Sequence, residues 1–274
     1  MKKISAKKPE VEGKQYHIAC GEGDLSKYVL LPGDPERVLK VAKDWDSFEE
    51  IAFHREYRSV TGEYKGMEIS CISTGIGSPS ATIALEELSR IGCDTFLRVG
   101  SCGAIQKEIE CGDLVISTGA VRLEGTSKQY VRVEYPALAN HEVVLALIEA
   151  SESFGFTYHL GITASTDSFY TGQARYGFKE YRQSFMKTLI SDLQKAKVLN
   201  FEMEAAALFT LSNVYGLRCG AVCAVFANRV TDEFQMKGER DAGLVGSEAL
   251  RILREWDEVK SKQKKRYLYP SLLR

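Results

Sequence analysis

Short apolar runs rich in β-branched residues alternate along this chain with segments whose apolar residues recur at helical spacing. Helical spacing predicts long helices at Pro79–Ile91, His141–Phe154 and Asp241–Lys260. Strand–helix alternation over the whole length favours an α/β fold with a largely buried sheet. The apolar runs predict strands at Tyr28–Leu31, Met67–Thr74, Thr95–Gly100, Asp113–Val121, Tyr158–Ser165 and Leu217–Ala227.

The same pattern contains no internal repeat and no stretch typical of a linker. We therefore expect one domain over residues 1–274, with residues 1–14 and 261–274 as peripheral tails. The basic segment at residues 1–8 is not followed by the hydrophobic run of a secretory signal, and no run approaches the roughly 20 apolar residues of a membrane-spanning helix. We expect a cytoplasmic protein.

Composition narrows the choice of partners. Hydrophobic residues make up 44% of the chain and charged residues 27%, which is typical of a globular protein. The 36 lysines and arginines nearly balance the 37 acids, so the charge does not favour nucleic acid or an anionic membrane as a partner. The odd number of cysteines, with no C-x-x-C pair, is typical of reduced thiols, and the histidines show no zinc-ligand spacing with them.

One candidate anion site lies where a short strand ends. Gly33 permits a tight turn, Asp34 can cap the next helix, and Pro35 suits the first helical position. Arg37 then falls in the first turn, and a helix N-terminus beside an arginine is a good place for an anion. The same residues also fit an ordinary strand–turn–helix junction.

A second candidate is Arg98, which lies inside an apolar strand, where a buried guanidinium needs an anionic partner. The turn at residues 100–103 adds N–H groups and the Ser101 hydroxyl at the carboxyl end of the strand, where α/β folds bind ligands. A bound anion and a structural ion pair explain Arg98 equally well. Arg229 follows another apolar strand, and a salt bridge is again the alternative.

The loop after the strand at residues 158–165 carries Phe169, Gln173 and Arg175. Gln173 both donates and accepts, Arg175 only donates, and Phe169 offers a flat face, so together they can recognise a planar imide such as uracil. A polar loop with one core aromatic is the simpler explanation for this loop alone. The charged triplet His54-Arg55-Glu56 also fits solvated surface.

Glu202 and Glu204 flank Met203 at a strand-to-helix transition, and in an extended segment both acids face one side. A carboxylate can hold ribose by accepting hydrogen bonds from its vicinal hydroxyls. Acids at a helix start are also favoured by the helix dipole, which is a strong alternative for Glu202. All the candidates together suit phosphate, a pentose and a planar base.

In this order, the candidate segments resemble the purine/uridine type of the nucleoside phosphorylase-I family. The matching segments are Pro32–Arg37, His54–Glu56, Ser73–Gly77, Phe96–Gly100, Gln173–Arg175, Phe201–Glu204 and Asn228–Arg229. The resemblance covers nearly the full chain. It implies a single α/β domain whose mixed β-sheet forms a distorted barrel flanked by α-helices. It also implies a homohexamer, built as a trimer of dimers with sites shared between subunits.

The resemblance also implies a role for each site residue. Phosphate would bind to Gly33, Arg37, Arg98 and Ser101, with Arg55 supplied by a neighbouring subunit. Ribose would bind to Met203 and Glu204, with His17 from the neighbour. The base would bind to Gly103, Phe169, Gln173 and Arg175. The catalytic residues would be Arg98, Gln173, Arg175, Glu204 and Arg229, and a monovalent cation, potassium, would bind to Glu56, Ile76 and Ser80 at a dimer interface.

The implied activity is the reversible phosphorolysis of uridine to uracil and ribose 1-phosphate in pyrimidine salvage. Inorganic phosphate would be the co-substrate, with no organic cofactor. The nearest alternative is a purine phosphorylase of the same family. Purine members resemble one another in having an aspartate near the end of the strand that corresponds to Phe226–Arg229 of this chain. In this chain the first acid after that segment is Asp232. A nucleoside hydrolase would not need the arginines at 37, 55 and 98, and a non-catalytic nucleoside-binding protein is a further alternative.

Overall fold

The computed structural model describes residues 6–273 and follows the alternation in the sequence. Residues 1–5 and Arg274, which belong to the two predicted tails, lie outside this range. The strands are β1 Glu10–Val11, β2 Lys14–Gln15, β3 Tyr28–Leu31, β4 Ser47–His54, β5 Tyr57–Tyr64, β6 Met67–Ile72, β7 Thr95–Ala104, β8 Leu114–Arg122, β9 Ala137–Leu138, β10 Tyr158–Ser165, β11 Val198–Glu202, β12 Arg218–Asn228 and β13 Glu233–Phe234. The helices are α1 Pro35–Ala42, α2 Ser78–Arg90, α3 Ser127–Tyr130, α4 His141–Phe154, α5 Leu189–Lys195, α6 Ala205–Tyr215 and α7 Glu239–Lys262.

Five of these strands close a barrel at the centre of the molecule. β7 pairs with β12 in parallel and with β11 antiparallel, and β11 pairs in parallel with β10. β10 pairs in parallel with β8, and the antiparallel pairing of β8 with β12 completes the ring. Beyond β7 the sheet continues through β3, β6, β5 and β4. The mixed sheet forming a barrel is therefore confirmed.

The predicted elements are all present. β3, β10 and α4 have the predicted bounds, and the other predicted strands and helices differ at their ends by one to four residues. The sequence pattern does not predict the β4–β5 hairpin. In its turn, Arg55 has a φ of 55°, in the left-handed region where asparagine and glycine are typical. The dipeptide Arg55-Glu56 is not one of the sequences that usually indicate a hairpin turn, so the sequence does not predict it.

Helices cover the sheet on both sides and bury the apolar faces that the pattern predicts. On one side α2 buries Leu85 and Leu88 against a cluster that includes Phe96 of β7. On the other side α7 buries Val245 and Leu253 in a cluster with strand and helix residues. Burial of one such side chain stabilises the fold by about 1.5–3 kcal/mol. The barrel that carries the site is therefore held from both faces.

An ion network fastens the carboxyl-terminal segment to the body of the protein. Lys260 Nζ donates to Glu142 Oε2 at 2.5 Å, and the backbone N–H of Leu268 donates to the other oxygen of Glu142 at 2.9 Å. Leu272 is buried. Among the described residues, this segment packs against the domain instead of extending from it.

The described residues contain no helix long and apolar enough to cross a membrane. Within the same range, no group of three or more His, Cys, Asp or Glu side chains is placed to hold a metal ion. The seven cysteines are free thiols, and six of them are buried. Burial raises the pKa of Cys219 and of Cys223 to about 12, so both thiols stay protonated near neutral pH and act as small apolar side chains.

Candidate active site

A cavity of about 630 Å³ opens where the carboxyl ends of β3, β7, β10, β11 and β12 meet. The pairing of Phe201 with Gly103 brings the ends of β11 and β7 together at this place. Twelve predicted site residues line the cavity: Gly33, Arg37, Glu56, Ile76, Arg98, Ser101, Gly103, Phe169, Gln173, Arg175, Met203 and Glu204. A larger cleft of about 850 Å³ over β4, β5 and β6 is lined by none of the predicted site residues.

Arg37 reaches the cavity from the first turn of α1. Asp34 caps this helix by accepting a hydrogen bond from the N–H of Glu36, and Pro35 is its first residue, as predicted. The Arg37 side chain is 9% exposed, and its Nε donates to Glu239 Oε1 at 2.8 Å. Its two Nη groups have no hydrogen-bond partner among the described residues, so they are available to a ligand in the cavity.

Arg98 is both a lining residue and a member of a buried ion network. Its Nε donates to Glu202 Oε2 at 2.9 Å, and its Nη2 lies 2.5 Å from Glu204 Oε2. Burial lowers the pKa of Arg98, but the nearby Glu204 and Glu202 carboxylates more than offset this effect and raise it. A Cβ on Gly100 would lie 2.8 Å from Nη2, so only glycine leaves room for the guanidinium. The sequence left a structural ion pair and an anion site as alternatives for Arg98. The two are compatible, because Arg98 pairs with carboxylates and also lines the cavity.

Glu202 and Glu204 both line the cavity and both contact Arg98, but their other partners differ. Glu202 Oε2 accepts hydrogen bonds from the N–H groups of Glu204 and Ala205 at 2.8 Å each, so it caps the start of α6, as its structural alternative predicted. Glu204 Oε1 accepts from the N–H of Gly77 at 2.6 Å. Burial raises the pKa of Glu204, and the Arg98 guanidinium opposes that shift.

These contacts define an ion cluster of Arg37, Arg98 and their carboxylate partners Glu202, Glu204 and Glu239, which we call the phosphate cluster after the ligand predicted for it. Glu239 was not among the predicted site residues. It precedes the predicted start of the last helix and lies 202 residues from Arg37 in sequence, so no local pattern indicates their contact. With all its members ionised, the cluster carries two positive and three negative charges, and Lys40, whose Nζ donates to Glu239 Oε2 at 3.0 Å, balances the third carboxylate.

The base cluster consists of Phe169, Gln173, Arg175 and Arg229. The Arg175 guanidinium lies 3.9 Å from the centre of the Phe169 ring, and its Nη1 donates to Gln173 Oε1 at 2.6 Å. Arg229 does not line the cavity; its Nη1 donates to the backbone oxygen of Gln173 at 2.9 Å. Burial and the charge of Arg229 lower the pKa of Arg175 to about 10, which leaves it positively charged at neutral pH. The predicted base-binding residues are thus brought together.

Besides Arg229, three predicted residues lie outside the cavity of this chain. His17 Nδ1 lies 2.7 Å from Glu87 Oε1, and Arg55 Nη2 donates to the Tyr16 hydroxyl at 3.3 Å. Ser80 is next to the cavity, where its hydroxyl lies 2.9 Å from Glu56 Oε1. His17 and Arg55 are the two residues expected to serve a neighbouring subunit.

Taken together, the strand ends of the barrel place most of the residues predicted for an anion, a sugar and a planar base around one cavity. The model of the phosphorylase superfamily matches residues 27–254, and the chain belongs to this superfamily. The predicted family is therefore confirmed.

Curated relatives extend the match over most of the chain. A protein of Thermococcus kodakarensis named uridine phosphorylase is 64% identical over 270 residues, which cover 98% of each chain. A uridine phosphorylase of Escherichia coli strain K12 is 42% identical over 221 residues, 80% of this chain and 87% of the relative. A guanosine phosphorylase of Halorubrum lacusprofundi is 43% identical over 217 residues, 79% of this chain and 85% of the relative.

Proposed function

We propose that this protein catalyses the reversible phosphorolysis of uridine to uracil and ribose 1-phosphate. The observation that carries the proposal is the base cluster, in which Gln173 and Arg175 place donor and acceptor groups in a cavity that also contains two buried arginines. The high identity to a relative named uridine phosphorylase supports the same substrate. Inorganic phosphate is the co-substrate.

Each part of the substrate pair has residues suited to it. Phosphate binds at Arg37, Arg98, Gly33 and Ser101, where free Nη groups and a hydroxyl are present. Glu204 and Met203 hold the ribose, because the ionised carboxylate accepts hydrogen bonds from vicinal hydroxyls. Phe169, Gln173, Arg175 and Gly103 hold the base.

Phosphate attacks C1′ of the ribose as the glycosidic bond lengthens, so the sugar passes through an oxocarbenium-like state. The phosphate anion stabilises this cation, and no covalent bond to the protein forms. Negative charge develops on the departing uracil, beside Arg175 and Arg229. Guanidinium groups already fixed in a desolvated site stabilise such charge at little reorganisation cost. The catalytic work of the chain is therefore positioning and electrostatic stabilisation.

Charge balance supports a site shared between subunits. With Lys40 beside Glu239, the cations and carboxylates of the phosphate cluster balance, so an incoming phosphate dianion needs a further cation. We propose that Arg55 of a second copy supplies it and that His17 of that copy reaches the ribose 5′-hydroxyl. The assembly is a hexamer formed by three such dimers.

The residues predicted for a monovalent cation lie close together. The Ser80 hydroxyl is within hydrogen-bond distance of Glu56, and Glu56 and Ile76 both line the cavity. Carboxylate, hydroxyl and backbone carbonyl oxygens suit a hard cation. We propose that Glu56, Ile76 and Ser80 would hold potassium, whose charge would fix the contact between paired subunits.

The test is base release from uridine, inosine, guanosine and adenosine, each with and without inorganic phosphate. We expect uracil release that requires phosphate and little release of purines. Phosphate-dependent release of guanine or hypoxanthine instead would favour a purine phosphorylase, an alternative raised by the guanosine phosphorylase relative. Release without phosphate would indicate a hydrolase, and no release would indicate a binding protein.

A further inference from the structure

The side-chain amide of Gln173 is held between two fixed neighbours. Arg175 Nη1 donates to Gln173 Oε1 at 2.6 Å, and Gln173 Nε2 donates to Thr166 Oγ1 at 3.2 Å. Gln173 and Thr166 are both buried, with 3% and 2% of their surface exposed. The amide therefore cannot rotate without breaking a hydrogen bond at each end.

The direction of these hydrogen bonds follows from the chemistry of the donors. A guanidinium has only donors, so the amide atom that faces Arg175 must be the oxygen. A threonine hydroxyl can donate or accept, but Thr166 Oγ1 donates its hydrogen to the backbone oxygen of Ser168 at 3.3 Å. It therefore accepts from Gln173 Nε2. The hydrogen bonds along Arg175, Gln173, Thr166 and Ser168 all run in one direction.

This fixed direction determines what the cavity presents to a base. Arg175 offers a donor, Gln173 Oε1 an acceptor with a free lone pair, and Gln173 Nε2 a second donor, in that order. Uracil presents the complementary series of carbonyl, N3–H and carbonyl. Cytosine has a lone pair at N3, which would face the Gln173 oxygen and be repelled. A rotated amide would lose this discrimination and place its NH₂ against the Arg175 guanidinium.

We propose that Thr166 is a positioning residue for base recognition, whose hydroxyl holds the Gln173 amide in the orientation that reads the imide edge of uracil. This inference rests on the proposed phosphorolysis of uridine. Thr166 does not line the cavity, so it acts through Gln173. It directly follows β10, and its N–H donates to the backbone oxygen of Glu202 at 3.1 Å, so its position is set by the barrel.

The test compares three variants in steady-state kinetics. Thr166→Val keeps the side-chain shape but removes the hydroxyl, and we expect the KM for uridine to rise by about tenfold, the effect of one lost hydrogen bond. The KM for phosphate stays at the wild-type value. Thr166→Ser keeps the hydroxyl and restores the uridine KM.

A matched control is Thr163→Val. Thr163 lies on β10, three residues before Thr166, is also buried, and donates its hydroxyl hydrogen to Asn200 Oδ1, but it does not line the cavity or contact Gln173. Melting temperatures show how far each valine variant loses stability. We expect Thr163→Val to keep the wild-type KM for uridine despite a similar fall in Tm.

Three results would overturn the inference. An unchanged uridine KM in Thr166→Val contradicts it, and so does an equal rise in the KM for uridine and for phosphate, which indicates general loosening. Failure of Thr166→Ser to restore the uridine KM also contradicts it. These results presuppose a wild-type protein that cleaves uridine; a wild type that releases no uracil overturns the proposed function, and this inference with it.

Discussion

The phosphate cluster and the base cluster differ in whether their arginines are paired with carboxylates. In the phosphate cluster, Arg98 lies against Glu202 and Glu204, and Arg37 lies against Glu239. In the base cluster, Arg175 and Arg229 are two guanidinium groups without a carboxylate in salt-bridge contact among the residues that the structure describes. Burial lowers the pKa of Arg229, and the negative charge of Asp232, which acts to raise this pKa, does not offset the effect of burial.

This difference matches the timing of charge in the proposed reaction. Phosphate arrives as an anion, so the phosphate cluster must be stable when empty, and its carboxylates keep the buried arginines paired until then. Uracil becomes negative only as the glycosidic bond breaks. An excess of positive charge beside it favours the transition state over the neutral substrate. In the proposed reaction, the first cluster would therefore serve binding, and the second would serve bond cleavage.

The largest expected effect is at Arg98. We expect Arg98→Ala to lower kcat/KM for phosphate by about a thousandfold, because a preorganised charged donor is lost. Glu202 and Glu204 would also be left without their cation, which costs about 3–5 kcal/mol of stability. Both quantities can be measured, by kinetics at varied phosphate and by chemical unfolding.

Arg122→Ala is the control for Arg98. Arg122 is also a buried arginine, and it donates to backbone oxygens of the segment at residues 131–135, away from the cavity. If this variant loses as much phosphate use as Arg98→Ala at an equal loss of stability, Arg98 acts only through the fold.

The next effect tests the base cluster. We expect Gln173→Ala to lower kcat/KM for uridine about a hundredfold, because the imide edge and the half-buried Arg175 both lose a partner. The KM for phosphate should stay within about twofold of the wild type, since the clusters are separate. Gln183→Ala, in the same segment but outside the cavity, is the control. Full uridine activity in Gln173→Ala would contradict the pyrimidine assignment.

A smaller effect tests whether a second copy supplies a further cation to the phosphate cluster. We expect Arg55→Ala to raise the KM for phosphate about tenfold, because one charge-assisted contact is lost. At phosphate concentrations well below KM, co-expression with Arg98→Ala should then give about a quarter of wild-type activity, since in a symmetric dimer about a quarter of the sites combine an intact Arg98 with an intact Arg55. Activity no higher than the average of the two separate variants would show that sites are not shared.

The smallest effect concerns Glu239 and acid stability. Burial raises the pKa of Glu239, but its hydrogen bonds from Arg37 and Lys40 outweigh this and lower it below the ordinary value. A lowered folded-state pKa adds stability above the unfolded-state pKa, and this contribution disappears as the pH falls through the folded-state value. For a partly exposed ion pair the contribution is about 0.5 kcal/mol.

Melting curves of the wild type and Glu239→Gln, taken from neutral pH into the acid range, measure this contribution. The difference in Tm should be largest at neutral pH and should shrink as the pH falls. Glu258→Gln removes a more exposed partner of Arg254 and is the control. A difference in Tm that does not change with pH would contradict the assignment to the charge of Glu239.

Local patterns were sufficient for much of the fold. The spacing of apolar residues located the long helices and most barrel strands, because an element with one buried face repeats its apolar residues at the period of that helix or strand. Asp34 and Pro35 indicated the start of α1, because a helix end must satisfy its free N–H groups locally. The β4–β5 hairpin escaped prediction because Arg55 occupies a turn position that usually belongs to asparagine or glycine.

The sequence by itself determined the α/β class, the helix start that carries Arg37 and the short spacing of Gln173 and Arg175. These features depend on neighbours within one or two turns of chain. Only the tertiary structure decided that Arg98 pairs with Glu202, 104 residues away, and that Arg37 pairs with Glu239. Barrel closure through β7 and β12 likewise joins distant segments. Ion-pair partners so far apart in sequence produce no local pattern of residues that could predict their contact, because only the packing of the sheet brings their charges together.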